Sequence, residues 1–139
     1  MRFEQTIQTT ASPEKIWAIY KDASAWSDWD PEVKAASLDG EFASGVHGEL
    51  VPTSGRPKRA RFYLADVIED RAFAVESRLP LCVLRVEHEI AATHAGSTVT
   101  HRVAFRGALA WLFGPLVGGP IRNGLPATMA GLKRIAEQD

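Results

Sequence analysis

The 139-residue chain carries 16 Lys and Arg against 17 Asp and Glu, a formal net charge of -1, with 45% hydrophobic and 24% charged residues. That balance fits one globular domain and excludes a nucleic-acid binder working by bulk positive charge, as well as an acidic disordered tail. Cys82 is the single cysteine, which excludes an internal disulfide and a Cys-rich zinc site. No apolar run approaches the roughly 18 residues that span a bilayer, and the opening MRFEQTIQTT lacks the apolar stretch of a signal peptide. A cytoplasmic protein without stable membrane insertion is the expectation.

Residues 2–10 alternate, with Phe3, Gln5, Ile7 and Thr9 on one side and Arg2, Glu4, Thr6 and Gln8 on the other, the pattern of a half-buried strand. Ser12-Pro13-Glu14 then opens a helix, since Ser12 suits the N-cap, Pro13 the first helical position and Glu14 the positive end of the dipole. Ile16, Trp17, Ile19 and Tyr20 follow at helical spacing, and the helix fades near Asp22. A second short helix, Ala23 to Asp28, carries Trp26 and leads to Trp29-Asp30-Pro31, where Pro31 biases Asp30 to an extended conformation.

From Val33 to Phe105 the chain reads as short extended runs at 33–38, 45–51, 59–69, 72–78, 81–92 and 97–106. They are divided by turn chemistry at Asp39-Gly40, Ser54-Gly55-Arg56-Pro57, Asp70-Arg71, Leu79-Pro80 and Ala95-Gly96. This is an antiparallel meander. After Gly107, Phe113-Gly114-Pro115 and Gly118-Gly119-Pro120 interrupt an apolar stretch. A helix is expected from about Pro120, with Ile121, Leu125, Met129, Leu132 and Ile135 on its inner face and a bend at Pro126. The glycines around Gly118-Gly119 lack the ending of a phosphate loop and read as a flexible entrance segment.

Pairing sets which side chains face inward. With Ala95-Gly96 as a two-residue turn, His94 faces Ser97, Ile90 opposes His101, His88 opposes Val103 and Glu89 opposes Arg102. Cys82, Leu84, Val86, His88 and Ile90 then share an apolar face with Val99, His101, Val103 and Phe105, the two histidines being diagonal neighbours. A turn at Leu79-Pro80 adds Phe73, Val75 and Ser77 to that face and sends Glu76 and Arg78 to water. A tight turn at Asp70-Arg71 places Phe62, Leu64, Asp66 and Ile68 inward, unless a bulge reverses the parity and turns Asp66 out.

The fold class is therefore α+β: a curved seven-stranded antiparallel sheet around a long C-terminal helix, with two short N-terminal helices. A twisted sheet this large leaves space beneath the helix, and that space is the candidate binding site. Phe62, Leu64, Phe73, Val75, Leu84, Val86, Val103 and Phe105 line it from the sheet. Leu125 and Met129 line it from the helix, with Trp26 and Trp29 at the open end.

The order of elements resembles the START-like superfamily, also called SRPBCC, with the helix-grip fold of the birch pollen allergen, and within it the polyketide cyclase/dehydrase and lipid-transport group. The residues carrying the resemblance are Ala11-Ser12-Pro13-Glu14-Lys15-Ile16-Trp17 and Ala25-Trp26-Ser27-Asp28-Trp29-Asp30-Pro31 near the start, then Gly96-Ser97-Thr98-Val99-Thr100-His101 and Phe105-Arg106-Gly107. The ending Gly131-Leu132-Lys133-Arg134-Ile135-Ala136-Glu137 completes them. The resemblance spans the whole chain, read as a single domain over residues 1–139. It implies a hydrophobic cavity between sheet and C-terminal helix, used by relatives for lipids, sterols, polyketides, quinones or hormones. It implies no particular catalytic set.

His88 and His101 are candidates for contacting the polar end of a ligand or moving protons, with Asp66 as an orienting group if it faces inward; the plainer reading is a pair of satisfied core histidines. These groups make a poor metal set, and neither metal nor cofactor is expected. Cys82 reads as a small buried apolar residue. Trp26 and Trp29 divide evenly between ligand contact and packing. Trp111, Leu112 and Phe113 read foremost as a cap on the core, with a membrane-touching tip as the other reading. Arg56, Lys58, Arg59 and Arg61 read as a solvated sheet edge. The leading expectation is a protein that binds a hydrophobic small molecule. The alternatives are a cyclase- or dehydratase-like enzyme using the histidines, and an interaction module acting through the tip. Nucleic acid is not an expected partner, and a homodimer is compatible with the sequence.

Overall fold

The computed structural model describes residues 1–138. Strand β1 (Arg2–Thr9) leads into helix α1 (Pro13–Lys21) and a 3-10 helix at Ala23–Asp28. Six strands follow: β2 (Val33–Leu38), β3 (His47–Pro52), β4 (Ala60–Ile68), β5 (Ala72–Leu79), β6 (Cys82–Thr93) and β7 (Gly96–Arg106). A 27-residue helix, α2 (Ala110–Ala136), closes the chain. The strands make one antiparallel sheet in the order β1-β7-β6-β5-β4-β3-β2, so the sheet is the expected meander with β1 returned beside β7.

Local chemistry explains the starts and turns. Ser12 caps α1 by accepting from the Lys15 N–H at 3.2 Å, with Pro13 in the first turn. The β6–β7 turn is His94–Ala95 rather than Ala95–Gly96, because Thr93 pairs with Gly96. Gly96 sits at φ 152° against the end of β1, where a Cβ would overlap the Thr9 carbonyl, so this glycine serves the close strand approach and not the turn. The β5–β6 turn likewise moves by one residue, to Pro80–Leu81, with Leu79 paired to Cys82. Each shift moves both strands by one place. The inward and outward faces are therefore as expected, while the partners change: Glu87 opposes Arg102 and Ile90 opposes Val99.

Two expectations on the sheet are corrected. Between Ala65 and Ile68 the β4–β5 register slips, with Asp66 at φ 50°, and this bulge turns Asp66 and Ile68 away from the core. Asp66 binds Arg85 at 2.6 Å on the convex face, and Ile68 is 53% exposed. Glu76, expected in water, is 8% exposed because Arg85 and Tyr63 close over it. Partial burial pushes its carboxyl upward, but the hydrogen bonds from Tyr63 and Arg85 win and hold it below the usual carboxylate range. Arg102 forms a second cluster with Glu4, Glu87 and Glu89. Arg59, just ahead of β4, pairs with Glu49 on β3, and Arg61 on β4 pairs with Asp39 just past β2. They are not an edge, since β1 and β2 are the edges.

The last helix begins about ten residues earlier than expected and runs through Pro115, Pro120 and Pro126. Each proline removes a donor to the carbonyl four residues back, at Trp111, Leu116 and Arg122. All six of these residues are exposed, so the prolines lie on the solvent side of the helix, where a freed carbonyl costs least. The glycine cluster is helical, not a flexible entrance. A Cβ at Gly118 would stand 2.8 Å from the Phe105 ring and 2.9 Å from the Met1 sulfur, and one at Gly131 would overlap the Trp29 carbonyl. Glycine thus lets α2 sit directly on the residues below it. Its C-terminal half is tied to β1 through Lys133 Nζ donating to the Gln8 carbonyl at 2.6 Å and Thr9 donating to Glu137 at 2.8 Å.

Because Gly131 sits against backbone that cannot swing aside, Gly131→Ala is expected to cost about 1–3 kcal/mol of stability through overpacking. Urea unfolding followed by circular dichroism measures it, and an unchanged midpoint would show that the contact is not tight.

Candidate functional site

The alternation of β6 and β7 points His88 and His101 to the concave face, and the register sets them directly opposite each other rather than diagonally. Their ring centroids are 4.4 Å apart with planes 69° apart. From above, α1 lowers Tyr20 onto the pair, so that its hydroxyl and His101 Nε2 form a 2.6 Å hydrogen bond. Phe73 on β5, opposite His88, stacks on that imidazole at 4.1 Å with planes 4° apart, and its carbonyl lies 3.4 Å from His88 Nδ1. Three strands and one helix thus converge on a small polar cluster beneath the sheet.

Burial governs its charge state. Desolvation pushes the His88 pKa down to about 3, against a weaker upward pull from the Phe73 and Val86 backbone. His101 is held well below the ordinary imidazole value by burial and then by His88. Tyr20 is pushed up, first by burial and then by the charge of Asp30. At neutral pH the two imidazoles and the phenol are all uncharged. Asp30 is itself raised by burial, while hydrogen bonds from the Glu32 N–H at 3.0 Å and the Thr128 hydroxyl at 2.9 Å partly restrain it.

The space beside this cluster is filled unevenly. Toward α1 it is packed: Trp17 meets Phe42 and Phe73 edge-on at 5.5 and 6.0 Å, and Tyr20 meets Trp29 and Phe73 at 6.0 and 4.9 Å. Toward the start of α2 a separate cluster forms around Cys82, Val103 and Phe105. Between the two, Val75, Leu84 and Val86 on the concave face are only half-buried, and His88 lies among the buried polar groups at 9% exposure. This stretch of β5 and β6 is a half-covered part of the concave face. Two further concavities, of about 620 and 280 Å³, open on the surface beside α1, lined by residues such as Glu14, Lys21 and Asp70 in one and Lys15, Ile19 and Ile135 in the other.

Of the residues expected to line the site, Phe62, Leu64, Phe73, Val103, Phe105, Leu125 and Met129 are buried in the core. Trp26 stacks on Phe62 at 5.9 Å and donates its indole N–H to the Tyr20 carbonyl at 2.9 Å. Trp29 is 5% exposed and its indole nitrogen has no partner. Both tryptophans are packed into the wall. Asp66 is separated from the histidines by the sheet itself, which removes it from the candidate set. His47 and His94 are exposed, and among the described residues no three His, Cys, Asp or Glu gather as a possible metal set. Of Trp111, Leu112 and Phe113, only Phe113 packs on the core.

Sequence reasoning missed Tyr20, which it placed on the apolar stripe of α1 without asking where the hydroxyl goes. A buried tyrosine needs a partner for its O–H, and an inward histidine was available.

A seven-stranded sheet curled about a long C-terminal helix, with a polar cluster sunk beneath it, defines a helix-grip domain. The chain belongs to the polyketide cyclase / dehydrase and lipid transport family, whose model matches residues 1–137. Solved structures of similar fold include a START superfamily protein from Mycobacterium smegmatis, with TM-score 0.76, 16% identity, and 99% of this chain against 97% of that one covered. Norcoclaurine synthase from Thalictrum flavum matches with TM-score 0.71 at 13% identity, covering 100% of this chain and 87% of the other. The di-domain ARO/CYC StfQ of the steffimycin biosynthetic pathway matches with TM-score 0.72 at 13% identity over 98% of this chain, and this chain spans 49% of that protein. These likenesses show the fold. A comparison with curated proteins returns no match.

The depressed histidines make stability pH-dependent. In the unfolded chain each takes up a proton near its ordinary 6.5, whereas folded His88 does so only near 3, so the unfolded state holds more protons between those values. Stability is full above about 6.5 and falls as the pH drops through that window, by up to about 1.4 kcal/mol per pH unit for each histidine. Urea midpoints measured from pH 7 to 4 should show a shallower fall in His88→Gln than in the parent. Equal slopes would mean that His88 is not held neutral.

Proposed function

We propose that this protein binds a hydrophobic small molecule, with its apolar body in the groove along β5 and β6 beneath the start of α2 and its polar end toward His88, His101 and Tyr20. The observation that carries this reading is the half-buried row Val75, Leu84 and Val86, which adjoins the buried polar cluster on the concave face. Apolar area left there gains roughly 25 cal/mol per Å² when a ligand covers it, before the costs of ordering. Neutral imidazole and phenol groups beside it offer hydrogen bonds without a buried charge, which suits a hydroxyl or carbonyl on an otherwise apolar ligand. The family description, which includes lipid transport, supports the same class of ligand.

The family description also names cyclases and dehydrases, and StfQ is described as an ARO/CYC. A proton-transfer reading of this site rests on the 2.6 Å contact between Tyr20 and His101. Binding is the better supported of the two. A general base works best with a pKa near the operating pH, and here burial drives His88 to about 3, His101 down and Tyr20 up. Each shift is away from neutrality.

The groove is tested with anilinonaphthalene sulfonate, whose fluorescence rises in apolar sites. Leu84→Trp extends bulk into the open space and should weaken the dye by about tenfold or more, the loss of a few buried carbons at ~0.8 kcal/mol each, while the thermal midpoint stays close to the parent. Unaltered dye affinity removes the groove from consideration. The polar anchor is tested separately: His101→Phe should weaken 2-naphthol more than naphthalene, and equal losses would leave the histidine as packing alone.

A further inference from the structure

The outward side of α2 is apolar where it should be polar. Trp111 is 73% exposed, Leu116 65% and Leu112 40%, and from Gly107 to Ile121 there is no charged side chain. Leu81, 71% exposed in the β5–β6 turn, adjoins them, since its carbonyl accepts from the Leu109 N–H at 3.0 Å. A helix that is apolar on both sides is ordinarily buried on both, and a contiguous exposed patch marks a surface that meets something else.

The distribution of charge says what that is. In an antiparallel sheet alternate connections lie at the same end, so the tip shares its end with the β3–β4 connection, residues 53–59. That connection carries Arg56, Lys58 and Arg59 and no acid; Arg59 also pairs with Glu49 at 3.1 Å. Arg78 and Arg106 both stand opposite Val83, on the second rung from the Pro80–Leu81 turn. Arg106 contacts Glu76 at 3.6 Å and its side chain is two-thirds exposed, at 66%. Two of the three strand connections at the far end are acidic: Asp39 and Glu41 between β2 and β3, then Glu69 and Asp70 beside Arg71 between β4 and β5; the third is His94–Ala95. A chain of net charge -1 thus presents an apolar tip with a mostly cationic collar at one pole, interrupted by exposed Glu32 beside the β3–β4 connection, and acidic connections at the other.

We propose that this pole docks on a bilayer containing anionic lipid, with Leu81, Trp111, Leu112 and Leu116 seated at the acyl boundary and the Arg56–Arg59 connection and Arg106 among the headgroup phosphates. Interfacial aromatic and leucine side chains ringed by arginine and lysine suit that boundary, and the charge gradient turns the tip toward an anionic surface. The same patch on a second copy would bring two cationic collars together, which like charges oppose. No helix among the described residues is long and apolar enough to cross a membrane, so contact is at the surface. The surface rests on exposure and charge, and it stands or falls apart from the ligand of the groove.

The test is cosedimentation of the full chain with vesicles of phosphatidylcholine alone and of phosphatidylcholine with phosphatidylglycerol, read alongside tryptophan emission. Trp17, Trp26 and Trp29 are buried at 4, 6 and 5% exposure, so a blue shift on adding vesicles reports Trp111. The expected result is binding that needs phosphatidylglycerol, weakens with salt and shifts the emission. The paired change Trp111→Ser and Leu116→Ser should lower partitioning about tenfold or more, because affinity follows inserted apolar area, and Arg56→Glu with Arg59→Glu should lower it on the anionic vesicles. These side chains are exposed, and a matching thermal midpoint confirms intact folds. The proposal is overturned by absence of cosedimentation or by binding indifferent to the serine pair. It is equally overturned if sedimentation velocity shows a dimer that the serine pair dissolves, since the patch would then be covered by a second copy.

Discussion

The close seating of α2 on β1 and β7 decides how the rest of the interior is shared out. Gly114 and Gly118 meet Met1 and Phe105 at distances where any added carbon would collide, and Gly131 does the same against Trp29. A helix held that near one edge of a curved sheet cannot also cover the other half of the concave face. Coverage there falls to α1 and the 3-10 helix, which reach down with Trp17, Tyr20, Trp26 and Trp29. Large rings span the greater distance, and they meet edge-on around Phe73. The consequence is a core in two parts, with Phe3 of β1 packed against both.

Much of this was legible because a strand declares its faces by alternation. The inward set on β5, β6 and β7 followed from parity, and parity survived two turns that were each misplaced by one residue, since shifting both partners together flips neither face. What failed was punctuation. Gly96 looked like turn chemistry and is instead a close-contact position beneath β1. Gly114-Pro115 and Gly119-Pro120 looked like helix breaks and are helix, with the prolines on its exposed side. Glycine and proline carry the same letters whether they end an element or permit it to pack. Only the neighbours in space distinguish the two cases.

The site was half visible for a related reason. Periodicity places a side chain on a face but says nothing about what descends from another element to meet it. His88 and His101 were found by counting, and Tyr20, 81 residues from His101 in the chain, was not. Asp66 failed oppositely: counting placed it inward, and one extra residue in β4 sent it to Arg85 on the convex side.

The two faces of the sheet treat polar groups differently, and the contrast bears on function. On the convex face Arg85 and Arg102 each gather several carboxylates, so ionic groups there are paired and near water. On the concave face two imidazoles and a phenol are buried with one close hydrogen bond, the 2.6 Å contact between Tyr20 and His101. Taking such groups out of water costs more than a typical internal hydrogen bond returns, and apolar residues of similar size would serve the core as well or better. The flanking strand β5 and the strand β7 itself supply Val or Phe at neighbouring inward positions, such as Phe73, Val99 and Val103, while β1 sets Gln5 opposite His101. The packing of the fold therefore gives no reason for polar groups at this depth, and their position at the margin of a half-open row of apolar side chains gives a chemical one.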